Sequence, residues 1–138
     1  ALRLAVHRPE SVVDRLEQVL FDDDLCLAGY RALAAASTLH DAIAGADPEV
    51  ADLLQRVAVE DTDEDVDDVI IRLIERAGAR AIRELELDAR GSAVPEDYGR
   101  VIGWLKLALE DLRNGQTCRD AEARLVPWLV SHAEVADE

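Results

Sequence analysis

Val66, Val69, Ile70, Leu73, Ile74, Ala77, Ala81 and Leu85 repeat with the period of an α-helix. A strand would scatter these residues over two faces, whereas 3.6 residues per turn gathers them into one stripe. The pattern predicts a helix from about Asp63 to Arg90, roughly 42 Å long at 1.5 Å per residue. Arg72, Arg76, Arg80 and Arg83 fall on the opposite side, and bases toward the C-terminal half suit the helix dipole. Gly78 is its one weak point. A helix of this length overshoots a small bundle, so part of it is expected to pack on something else.

The rest of the chain reads the same way. Only four prolines and seven glycines interrupt a sequence rich in Ala, Leu, Arg and Glu, and no β-type alternation persists. An all-α fold is therefore expected. A first stub ends near His7-Arg8, because Pro9 disfavours helical geometry before it and suits the start of a second helix running to about Leu20. Val12, Leu16, Val19 and Leu20 lie on its inner face. Phe21 to Asp24 forms a loop with Asp24 as N-cap, and Leu25 to Ala36 is a helix apolar nearly all round, hence central. Thr38 with Asp41 resembles a capping box for Leu39 to Ala44. Asp47 then caps a helix from Pro48 to Val59, with Val50, Leu53, Leu54 and Val57 inward. Gly91 to Pro95 is a turn into a second long helix, Glu96 to Arg113, antiparallel to the first. Tyr98, Val101, Ile102, Leu105, Leu109 and Leu112 make its inner stripe. Thr117 with Asp120 opens a last helix, interrupted by Pro127, and Glu134 to Glu138 are expected to fray. The expected organisation is a bundle subdomain over 1–62, then the long helix, helical hairpin and terminal helix over 63–138.

Charge narrows the partners. Thirty acidic residues against fifteen basic ones leave a net charge of -15. Such a surface repels phosphate, so direct nucleic-acid binding is not expected. No stretch has the ~18 uncharged apolar residues of a membrane span, and no signal-peptide pattern opens the chain, so a cytoplasmic location is expected. Cys26 and Cys118 lack metal-type spacing and are expected to be reduced thiols. Methionine is absent, and Ala1 to Val6 reads as an apolar helix without a cap, as expected of a helix cut from a longer chain.

Residues 60–68 hold seven carboxylates and no base. The EF-hand pattern needs glycine at its sixth position and glutamate at its twelfth, where Val66 and Arg72 stand, so acids at a helix entrance, with Thr62 capping, fit better than a calcium loop. His7, His40 and His132 have no His or Cys partner at helical metal spacing. Phosphate loops, nucleophile elbows and Cys/His arrangements are also missing, so no catalytic or metal residue is assigned. Gly99 and Gly103 each cost about 1 kcal/mol in a helix and are expected to admit a neighbouring backbone. Trp104 and Leu107 lie progressively farther off the inner stripe. Trp104 and Trp128 either anchor an interface or, as favoured here, pack on each other.

The opening Leu2-Arg3-Leu4-Ala5-Val6-His7-Arg8-Pro9-Glu10, followed by Phe21-Asp22-Asp23-Asp24 and Tyr30-Arg31-Ala32-Leu33, resembles the C-terminal region of bacterial DnaG-type DNA primases. There a helix ending in an apolar-x-x-Pro segment precedes a loop and a helix with an aromatic or apolar residue near its middle. Glu49-Val50-Ala51-Asp52-Leu53-Leu54, Ala58-Val59-Glu60 and the long helix entered through Asp63 are similar to that region in actinobacterial-type primases. Residues 1 to 90 carry the resemblance, and Tyr98 to Leu112 carry it more loosely.

The resemblance implies a helicase-binding domain that docks on the N-terminal domains of the hexameric replicative helicase and couples RNA primer synthesis to DNA replication. The parent would be a nucleotidyltransferase, with zinc and magnesium held in upstream domains; this segment would be no enzyme and would hold no cofactor. Leu85, Tyr98, Val101, Trp104, Leu105, Leu107 and Leu112 are the implied helicase-binding candidates, some as core and some as contacts. The segment from Gln116 onward departs from the family pattern. Alternatives are the N-terminal helical domain of the helicase itself, a small helical hydrolase using metal at Glu60 to Asp68, and an unrelated acidic helical scaffold.

Overall fold

A computed structural model describes residues 1–60 and 65–136. Among these the chain is all helical, with eight α-helices and no strand. It divides into two compact units, Ala1–Ile70 and Ile71–Glu138, so the division falls inside the long helix.

In the first unit, α1 (Leu2–His7) and α2 (Pro9–Val12) meet at Pro9, as its geometry requires. The expected helix to Leu20 stops early. After Val12 the chain turns, Glu17 is extended, and Gln18–Leu20 makes a single 3-10 turn. A continuing α-helix would give the Leu16 carbonyl to the amide of Leu20; instead the Tyr30 hydroxyl donates to that carbonyl at 3.0 Å, and Leu20 bonds to Glu17. Tyr30 also stacks on Phe21, their ring centroids 4.9 Å apart. The apolar positions are nonetheless kept, because Val12, Leu16 and Leu20 are all buried.

Helix α3 (Asp24–Ala35) starts one residue earlier than expected. Asp23, not Asp24, is the N-cap, accepting from the amides of Leu25 at 2.8 Å and Cys26 at 3.2 Å. Thr38 caps α4 (Leu39–Gly45) through the amide of Asp41, as its spacing predicts. Helix α5 (Pro48–Val59) opens on proline, but the Asp47 side chain makes no capping bond. Leu2, Ala42, Val50, Leu54 and Val57 form a buried cluster into which α3 and α4 also pack. The expectation that α3 is central is only half met. It packs on α1, α4 and α5, yet only Gly29 is fully buried, at a close approach to the Leu2 and Leu54 side chains. The six-residue α1 and seven-residue α4 are too short to enclose a twelve-residue helix.

Helix α6 (Val66–Arg90) is continuous. The proposed Thr62 cap and the expected start at Asp63 lie outside the described residues; Asp65 accepts from the amide of Asp68 at 3.2 Å, and Arg15 pairs with Asp67 at 2.7 Å. The stripe from Val69 to Leu85 is buried. Gly78 lies beneath Leu109 of α7 (Pro95–Leu112), and a Cβ there would stand 2.9 Å and 3.0 Å from the two Leu109 methyls. An alanine here requires the Leu109 methyls to move. Gly78→Ala is therefore expected to stabilise the protein by less than the about 1 kcal/mol by which alanine exceeds glycine inside a helix. In a Leu109→Ala background the same change is expected to stabilise it more. Urea unfolding of the four proteins checks this, and an equal effect of Gly78→Ala in both backgrounds contradicts it.

The last helix, α8 (Cys118–Ala136), passes through Pro127 without the expected interruption. Proline removes the amide that would bond to the Ala123 carbonyl, but both residues are exposed, so water serves that group. Buried Leu125 and Leu129 hold the helix on either side. Residues 137 and 138, the end of the segment expected to fray, lie outside the described residues.

Candidate interaction surface

The second unit is a hairpin of α6 and α7 with α8 laid along α7. Leu105, Ala108 and Leu112 of α7 and Ala121, Leu125 and Leu129 of α8 are buried, so the terminal helix packs into this unit's core. Glu75 pairs with Arg113 at 3.1 Å across the open end of the hairpin, and Arg124 of α8 pairs with Asp111 at 3.2 Å. Thr117 donates to the Asp111 carbonyl at 2.7 Å, tying the α7–α8 turn to the end of α7.

The seven candidate residues separate by exposure. Leu85, Leu105 and Leu112 are buried, and Tyr98, Val101 and Trp104 are half-buried. Leu107 is 65% exposed. Trp104 packs on Trp128 at 6.1 Å between ring centroids, the favoured arrangement for the pair. Sequence reasoning missed what continues from there: Trp128 stacks on His132 at 4.9 Å, and His132 Nε2 lies 2.9 Å from a carboxylate oxygen of Glu84. The signal was available, since Trp128 and His132 are four residues apart on one helix.

Leu107 stands at the end of an open track. Gly99 and Gly103 precede it at intervals of four, and a Cβ built at either meets nothing within 4 Å. The glycines are expected to admit a neighbouring backbone, but none approaches them among the described residues. Leu87 and Val94, near the α6–α7 turn, are also exposed, and neither was singled out from the sequence. The two glycines leave the α7 backbone uncovered by side chains of their own, and Leu107 is the exposed apolar residue beside them.

Among the described residues no three His, Cys, Asp or Glu side chains converge as metal ligands, while 61–64 of the acidic run lie outside them. No described helix is long and apolar enough to cross a membrane. Both cysteines are free. Burial, aided by Asp23, pushes the Cys26 thiol above its ordinary range. Folding thus favours the neutral thiol, a contribution complete below the ordinary thiol range and lost as pH rises through the raised value. At mildly alkaline pH, Cys26 is expected to react with iodoacetamide more slowly in the folded protein than in urea. Mass spectrometry of the alkylated peptide checks this, and equal rates contradict it.

The fold and surface together define a class: an all-helical protein of two units with Leu107 and two glycines open on one hairpin helix. Against protein-family models, curated proteins and solved structures, the chain has no match.

Proposed function

We propose that this chain is the helicase-binding module of a DnaG-type DNA primase, a protein–protein adaptor that couples RNA primer synthesis to the replicative helicase in the cytoplasm. The observation that carries the proposal is the α6–α7 hairpin with Leu107 65% exposed on the outer face of α7. Its support is the ordered resemblance over residues 1 to 90, looser over Tyr98 to Leu112, and the succession of short-helix bundle, long helix and hairpin. A net charge of -15 favours a protein partner over nucleic acid.

The surface presented to the N-terminal domains of the helicase is the outer face of α7. Leu107 is its exposed contact, with Tyr98, Val101 and Trp104 at its margin. Leu85, Leu105 and Leu112 act from beneath, by holding α7 in place. Co-elution with the helicase of the same organism in size-exclusion chromatography with light scattering tests the assignment. A complex is expected at protein concentrations on the order of tens of micromolar, and separate elution at that concentration counts against it. The alternative of a helicase N-terminal domain is separated by the coding sequence around this segment: zinc-ribbon and polymerase regions precede a primase module, whereas an ATPase with a phosphate loop follows a helicase domain.

A further inference from the structure

The first unit has an open groove of about 630 Å³ between the N-terminal ends of α3 and α5. Buried Val50 and half-buried Leu25 and Ala28 line it together with exposed Pro48, Asp24, Asp47 and Glu49. Among the described residues none of these three carboxylates takes part in an ion pair. We propose that this groove is a docking site for a basic amphipathic helix of a partner protein.

Charge complementarity selects the occupant. A groove lined by apolar residues and free carboxylates fits a segment that presents aliphatic side chains between lysines or arginines. Among the described residues no strand edge borders the groove, so the occupant has to satisfy its own backbone hydrogen bonds, as a helix does. Anions are disfavoured by the three carboxylates, and at the start of α3 Asp23 already takes two first-turn amides. A second copy of the chain is opposed by the net charge of -15 on each molecule. The groove lies on α3 and α5, and the helicase proposal rests on α7, so either stands if the other fails.

The test uses the whole chain and a fluorescein-labelled peptide of about 16 residues, with leucines at helical spacing flanked by arginines. Fluorescence anisotropy at low salt is expected to give saturable binding, with amide chemical-shift changes confined to residues 24–28 and 47–51. The Asp24→Asn/Asp47→Asn/Glu49→Gln variant alters only exposed side chains, and circular dichroism verifies its fold. It is expected to bind about tenfold or more weakly, and raised salt is expected to do the same to the parent. A control peptide with glutamates in place of the arginines is expected not to bind. Equal binding of both peptides, unchanged affinity in the variant, shifts located on α7, or occupation of the groove by a second copy of the chain would overturn the proposal.

Discussion

Leu105→Ala is expected to destabilise the second unit by about 2–5 kcal/mol, as measured by urea unfolding followed through tryptophan fluorescence. Leu105 is fully buried, as are Ala108, Leu112, Ala121 and Leu125 of the packed α7 and α8. Truncation removes its transfer free energy and leaves a cavity in a unit of three helices. Trp104 and Trp128 are the only tryptophans, and they pair across the α7–α8 boundary, so their emission reports this unit directly. Leu107, two residues along the same helix, is the internal control. Being mostly exposed, its replacement by alanine is expected to change stability by less than about 0.5 kcal/mol. Similar losses from both substitutions would contradict the assignment of Leu105 to the core and Leu107 to the surface.

The second large effect is on binding. Leu107→Asp is expected to weaken association with the helicase by about tenfold or more while leaving the unfolding midpoint nearly unchanged. An aspartate at the centre of an apolar contact has to be desolvated without a partner, and about 1.4 kcal/mol already amounts to a factor of ten. Gly103→Leu, which fills the open track beside it, is expected to act in the same direction by denying access to the α7 backbone. Nothing lies within 4 Å of the added Cβ, and circular dichroism verifies that the variant keeps its fold. Binding unchanged by both substitutions would remove the outer face of α7 from the interface.

Much of the architecture was legible because helical period and caps are local signals. The α6 stripe, the Thr38 cap and the break at Pro9 needed only neighbours in sequence. The end of α2 did not follow from local sequence, since the Leu16 carbonyl is claimed by Tyr30 from fourteen residues away. Asp22, Asp23 and Asp24 have the same capping chemistry, and the choice among them depends on where the first free amides of α3 fall. Pro127 reads as a break until the exposure of Ala123 shows that solvent can serve the freed carbonyl. The apolar circumference of α3 suggested burial, yet burial depends on the length of the helices around it. On α7, Leu107 was identifiable as an apolar residue off the stripe. Gly99 and Gly103 were not assignable, because glycine serves close packing and an open face equally well.

Isothermal titration calorimetry of the whole chain into the hexameric replicative helicase of the same organism tests the central claim most directly. The expected result is saturable heat at concentrations on the order of tens of micromolar or below, strongly reduced for Leu107→Asp and retained for the Asp24→Asn/Asp47→Asn/Glu49→Gln variant. No saturable heat from the folded parent chain over that range, or equal binding by Leu107→Asp, would contradict the assignment of the α6–α7 hairpin as a helicase-docking module.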